Sequence, residues 1–180
     1  ANVDTRARIA RNYEWTTHRH RVDFRGHDHG LSYDDFHFDD QGKVTSVDTA
    51  SFEATMGPRI EGSFYPDGAG INRFDLGRFC PGRGTGGLTD EQYGRAAAWL
   101  ADWLDAKGWL DRVFLYATDE PWLPKHGPET IPRIASDAAL LAAYTDRWDG
   151  HTLVTGPRLE ELDACVGIWC PVTPMYGHTF

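Results

Sequence analysis

The stretch Lys107-Gly-Trp-Leu-Asp-Arg-Val-Phe-Leu-Tyr-Ala-Thr-Asp-Glu-Pro121 (KGWLDRVFLYATDEP) decides the fold. Arg112 to Thr118 is a nearly unbroken apolar run. Such runs suit a parallel strand buried on both faces rather than a surface strand, which would alternate. Before it stands a helix with clear limits. Thr89-Asp90-Glu91-Gln92 has the capping-box pattern, in which the Thr hydroxyl and the Gln side chain each take the other's backbone amide. Tyr93, Ala96, Ala97, Leu100, Trp103 and Leu104 then form one apolar stripe, and Gly108 ends it. Helix, buried strand, and a pair of acids at the strand's end together read as one unit of a parallel α/β sheet.

Working outward, the same alternation recurs. Asp48 to Arg59 reads as a short helix, with Phe52, Met56 and Ile60 on one face and Asp48 or Thr49 as cap. Ile71 to Leu76 reads as a strand and Cys80 to Gly87 as a glycine-rich loop. After Pro121 a loop with Pro124, Gly127 and Pro128 leads to a helix from Pro132 to Trp148, stopped by Gly150. Thr152 to Thr155 is a strand, Leu159 to Asp163 a short helix or turn, and Cys165 to Cys170 a strand stopped by Pro171. Towards the start, Ala1 to Asn12 has a helix-like pattern, Thr16 to Phe24 reads as a strand, and Arg25 to Ser46 as a long polar loop. The count is about five strands in one α/β domain over residues 1–180. That is either an incomplete (β/α)₈ barrel or a small open sheet, since a complete barrel needs about 250 residues. The chain opens on Ala1 inside a helix pattern and closes at Phe180 just past a strand, which reads as a segment cut from a larger domain. An open parallel sheet has two unpaired edges, so self-association is expected of it.

Composition narrows function. The chain has 180 residues, 41% hydrophobic and 25% charged, which excludes a disordered tail. Eighteen basic against 27 acidic residues give a net charge of −9, contrary to the basic face of a nucleic-acid-binding domain. No apolar run reaches the roughly 18 residues of a membrane span. Three cysteines leave the compartment open, and Cys165 and Cys170, placed on one strand, lie too far apart to pair. There is no Gly-rich turn directly after a strand, no phosphate loop and no Gly-x-Ser-x-Gly elbow, so no cofactor is implied.

Asp119 and Glu120 are the sharpest candidates for chemistry. In parallel α/β folds, functional residues gather where strands end. Adjacent residues on a regular strand face opposite ways, so both carboxylates can serve one site only if the backbone departs from the strand there. Pro121, with no amide to donate, helps it depart. A second constellation is histidine: His18, His20, His27 and His29, with Asp23 and Asp28 among them. Alternate histidines on a strand can share a metal, which makes a metal-dependent hydrolase the alternative reading. Cys80 has no base partner and is not read as a nucleophile. Trp99, Trp103 and Trp148 lie on helices and are read as core.

The stretch KGWLDRVFLYATDEP resembles the catalytic domain of glycoside hydrolase family 123 and its uncharacterised relatives. THRHR, VDTASFEATMGPRIEGSFY and GIWCP resemble further family stretches in the same order, from about residue 15 to 176. INRFDLGRFCPGRG departs from the pattern. The resemblance implies a (β/α)₈ barrel and a retaining N-acetyl-β-galactosaminidase that uses the substrate's own 2-acetamido oxygen as nucleophile. It implies that Asp119 orients that acetamido group and Glu120 acts as acid and then base. A sugar platform is expected from Trp122, Trp169 and Tyr176 near the strand tops, with Tyr116 a weaker candidate and His18 or Arg19 near the substrate. The partner is then a carbohydrate. A non-catalytic carbohydrate-binding segment is the third reading.

Overall fold

The capping box of the central helix forms as the sequence dictates. The Gln92 amide donates to Thr89 Oγ1 at 3.2 Å, and the Thr89 amide donates to Gln92 Oε1 at 3.1 Å. From that cap, helix α3 runs Asp90–Ala106 and buries Tyr93, Ala96, Ala97, Leu100 and Leu104. Gly108 follows at φ +69, a left-handed turn that a side chain would strain. The chain then enters strand β4, Val113–Asp119.

The computed structural model describes residues 3–20 and 30–171. In chain order the remaining elements are α1 (Val3–Arg19), β1 (Phe36–Phe38), β2 (Val44–Val47), α2 (Ala50–Glu61), β3 (Phe74–Asp75), α4 (Thr130–Ala142), β5 (Thr152–Thr155) and β6 (Ile168–Cys170). Strands β3, β4, β5 and β6 form one parallel sheet in that spatial order. Each strand lies beside the next in sequence, so the sheet advances in one direction. Strands β1 and β2 form a separate antiparallel hairpin. The class is therefore α/β, with helices packed on a four-stranded parallel sheet.

Phe52, Met56 and Ile60 on α2, the α3 stripe and Phe74, Val113 and Leu115 of the sheet make the main core. A smaller cluster joins Ala117, Ile134, Val154, Leu162 and Val166. Side chains alternate along a strand, so the residues between these point to the opposite face. There Phe114, Leu153 and Ile168 are only half-buried. At its start β4 is tied to α2: the Arg112 guanidinium donates to the carbonyls of Ile60 and Ile71.

The structure corrects several expectations. Thr16 to His20 are not strand: α1 continues through them to Arg19. Thr16 and Thr17 donate their hydroxyls to the carbonyls of Asn12 and Glu14, which satisfies these β-branched residues inside a helix. Residues 21–24 of that expected strand lie outside the described residues. The long loop of residues 25–46 contains β1 and most of β2. Asp39 Oδ1 accepts the amides of Gln41 and Lys43 at 3.0 and 2.8 Å and so turns the hairpin. Strand β3 is shorter than Ile71 to Leu76, because the Ile71 amide bonds back to Arg59 and Asp75 Oδ1 caps the amide of Gly77. The helix expected from Pro132 to Trp148 is α4 plus a separate 3₁₀ turn, Asp146–Trp148, capped by Thr145. Cys165 precedes β6 rather than lying on it, and the three cysteines are free thiols. Among the described residues no helix is long and apolar enough to cross a membrane.

Candidate functional site

Asp119 is the last residue of β4, and Glu120 follows it. Two local departures from regular strand geometry fall at these neighbours. The first is a register shift against β5 between Tyr116 and Thr118. On a regular strand, positions 116 and 119 would face opposite sides. The irregularity puts one extra residue into β4 and turns Asp119 to the Tyr116 side. There Tyr116 Oη donates to Asp119 Oδ1 at 3.0 Å. The second is at Glu120, whose φ is +48, in a region that residues with a side chain rarely enter. The strand has ended one residue earlier, at Asp119.

Thr155, the last residue of β5, holds this geometry in place. Its hydroxyl donates to Asp119 Oδ1 at 2.6 Å and accepts the Glu120 amide at 3.0 Å. One Oγ1 thus fixes the carboxylate of one residue and the strained backbone of the next. A left-handed non-glycine residue costs about 1–3 kcal/mol and persists where neighbours over-determine it, commonly at functional sites. The carboxylate of Glu120 forms no side-chain hydrogen bond or ion pair among the described residues and stays half-exposed. Asp119 is exposed, while Tyr116 is buried.

Trp122 sits above the end of β5. A Cβ placed on Gly156 would lie 1.6 Å from Cζ3 of the Trp122 ring. Glycine at 156, with φ +128, is what lets the indole lie flat against the chain there. The Gly156 amide donates to the Cys170 carbonyl at 2.8 Å, so the rim continues to β6. The Trp122 ring therefore lies against Gly156, the residue after Thr155.

Trp169 packs elsewhere. Trp169 is paired with Val154 and packs on the smaller core cluster, not on the rim. Tyr176 lies outside the described residues. His18 is buried on α1, its ring stacked on Tyr65 at 3.7 Å, with Nε2 3.5 Å from Asp67 Oδ1. Tyr65 and Asp67 belong to the loop that enters β3, so His18 stands where strands begin, opposite the acid pair. Arg19 is exposed at the end of the same helix. The structure does not bring either residue to Asp119. Of the histidine constellation, His27 and His29 lie outside the described residues, and no cluster of three metal-ligating side chains occurs among the described residues.

Four side chains missed from the sequence complete the strand-end region. Thr155 is one. Asp75 is another: it ends β3, is buried, and its Oδ1 accepts the amides of Gly77 and Tyr116 at 3.0 and 3.4 Å and the Cys80 thiol at 3.6 Å. An acid at the carboxyl end of an expected strand was the available signal. Asp137 on α4 is the third. Its Oδ2 accepts the amides of Gly82 and Gly84 at 2.8 and 3.3 Å and clamps the glycine-rich loop to the helix. Arg83, between those glycines, donates Nε to the Tyr116 carbonyl at 3.2 Å. That carbonyl lies at the strand irregularity. Burial, and secondarily the charge of Asp75, pushes the Cys80 thiol far above its ordinary range, so it remains protonated and is no nucleophile at neutral pH.

This arrangement offers one fixed carboxylate, a second carboxylate with no side-chain partner among the described residues, a phenol, a hydroxyl and an indole face. It suits acid–base work on a neutral polar ligand lying against the indole. Comparisons of the chain with protein-family models, with curated proteins and with solved structures find no match to any of them.

Proposed function

We propose that the chain is a glycoside hydrolase-like α/β domain that cleaves terminal N-acetyl-β-hexosaminides, N-acetylgalactosaminides first among them, with retention and with the substrate's acetamido group as nucleophile. The observation that carries this reading is the acid pair itself. Asp119 is oriented by two hydroxyls, from Tyr116 and Thr155, while the Glu120 carboxylate beside it has no side-chain partner among the described residues. Substrate assistance needs two carboxyl groups on one sugar, one to orient the acetamido group and one to give and take a proton. A mechanism with an enzymic nucleophile places its carboxyls on opposite ring faces, about 5 Å or more apart, which adjacency does not favour.

In the proposed mechanism Asp119 accepts the acetamido N–H. This aligns the acetamido oxygen with the anomeric carbon and stabilises the positive charge that grows on the cyclic intermediate. Glu120, protonated, gives its proton to the departing oxygen. Water then opens the intermediate as Glu120 takes the proton back. Trp122 receives the apolar face of the sugar. The sheet order β3-β4-β5-β6, each strand beside its successor, supports a sector of a (β/α)₈ barrel. The half-exposed Phe114, Leu153 and Ile168 would then belong to its inner wall.

The test is hydrolysis of aryl N-acetyl-β-galactosaminide beside the glucosaminide and the galactoside, with Glu120→Gln as control. Turnover that needs the 2-acetamido group and collapses in Glu120→Gln supports the reading. Equal turnover of the galactoside removes it. No specific observation favours the metal-hydrolase reading, and turnover separates the enzyme from a non-catalytic carbohydrate-binding segment.

A further inference from the structure

A concave site lies away from the acid pair, where the helical layer thins. The crossover from β4 to β5 carries a full helix, α4. The crossover from β5 to β6, residues 156–167, carries only a 3₁₀ turn, Glu160–Leu162. A turn that short cannot cover the sheet surface that a helix about 10 Å across would cover. Beside it opens a cavity of about 360 Å³, bounded by α4, the 3₁₀ turn Asp146–Trp148 and the segment before β6. It reaches the sheet at Thr152, the first residue of β5, at the other end of the strand from Thr155. Its size falls within the ~300–1,000 Å³ typical of small-ligand sites.

The lining is apolar below and acidic above. Trp148 and Cys165 contribute apolar surface, and α4 contributes Leu141 beside four alanines, Ala135, Ala138, Ala139 and Ala142. Trp148 is fixed by its indole N–H, which donates to the Ala97 carbonyl at 3.0 Å. Asp146, Asp149 and Glu161 also line the cavity. None of the three forms a salt bridge among the described residues, and no Lys, Arg or His lines the cavity with them. Arg147, between two of them in sequence, turns away to Asp102 and Asp105 of α3. An apolar recess ringed by one sign of charge focuses the field inward and favours a ligand of the opposite sign.

We propose that this cavity binds a hydrophobic organic cation, an aryl or alkyl ammonium whose apolar body lies on Trp148, Leu141 and the α4 alanines and whose charge lies between Asp149 and Glu161. The site is independent of the glycosidase reading, because it shares no residue with the acid pair.

The experiment uses three matched probes: 3-phenylpropylammonium, 3-phenylpropan-1-ol and 3-phenylpropanoate. Affinity is read by calorimetry, and occupancy by the rate at which Cys165, on the cavity wall, is alkylated, mapped by peptide mass. The cation is expected to bind about tenfold more tightly than the alcohol, to weaken with added salt, and to protect Cys165. Asp149→Asn with Glu161→Gln keeps the volume, so the preference for the cation is lost while the alcohol still binds. Ala139→Trp, at an exposed position on α4, fills the recess and removes both. Equal or tighter binding of the alcohol or the carboxylate overturns the proposal. So does an affinity unchanged by either variant, an unprotected Cys165, or no binding at millimolar cation.

Discussion

Replacing Thr155 by Val tests whether one hydroxyl holds the acid pair together. Valine keeps the shape and the strand preference of threonine, so the β5 ladder is retained. What disappears is one Oγ1, and with it the 2.6 Å bond to Asp119 and the 3.0 Å bond from the Glu120 amide. A hydrogen bond to a charged group contributes about 1.5–3 kcal/mol, but Asp119 is exposed and water takes over part of it, leaving about 1 kcal/mol. The Glu120 amide, held in a left-handed conformation, loses its acceptor at a cost of about 1 kcal/mol. Together that is about 2 kcal/mol, or about 4–8 °C in Tm for a domain of this size. Thr155→Ser keeps the oxygen and is expected to keep most of the stability. Thermal unfolding followed by circular dichroism measures both variants side by side. In the proposed mechanism Asp119 faces the transition state, so on the aryl galactosaminide Thr155→Val is expected to lower kcat more than it raises KM. Equal melting temperatures for wild type, Val and Ser would refute the reasoning.

Gly156→Ala drives a Cβ into the Trp122 ring at a φ of +128. It is expected to cost about 2 kcal/mol or more and to change tryptophan fluorescence, which a denaturant titration would register. Asp137→Ala removes the acceptor of the Gly82 and Gly84 amides. Loss of about 2 kcal/mol is expected, with faster hydrogen exchange at those two amides. The hydrogen bonds from Lys107 and then from Thr49 hold the Glu53 carboxyl below its ordinary value. A lowered folded-state pKa contributes stability above the unfolded value, and that stability is lost as the pH falls through the lowered one. Glu53→Gln is therefore expected to be less stable than wild type at pH 7, with the gap closing in acid below pH ~4. Strands β3 and β6 are the edges of the parallel sheet among the described residues. Self-association that rises with concentration is expected in sedimentation velocity, and a concentration-independent monomer would show that the edges are covered.

The parts of this fold that the sequence makes plain are those where local signals agree. Around α3 the capping box, the apolar stripe and Gly108 all point to the same helix, and β4 follows as a continuous apolar run. Thr152–Thr155 lies where its short β-branched run suggests. What stays hidden depends on distant partners. Thr16 to His20 carry strand-like residue types, yet α1 absorbs them because the threonine hydroxyls bond back along the helix and His18 stacks on Tyr65. The β1–β2 hairpin hides in a polar run, although Phe36 and Phe38 alternate and Asp39 to Gly42 can turn. At the candidate site, the place of Asp119, Glu120 and Trp122 at the end of a buried strand is legible in the sequence. Thr155 is not, because its role arises from a register shift between two strands 36 positions apart at the contact. Asp137 is equally silent, since its carboxylate caps a loop that lies far from it in sequence.

In the proposed mechanism the acetamido group of the substrate is the nucleophile. The most direct measurement is kcat/KM for aryl glycosides whose N-acyl group carries none, one, two or three fluorines. Fluorine withdraws electrons from the acetamido oxygen and weakens its attack without altering the leaving group. The account predicts a steep, progressive fall in rate with each fluorine, traced by wild-type protein and absent as turnover in Glu120→Gln. A rate indifferent to fluorination, or no turnover by the folded protein, would contradict it.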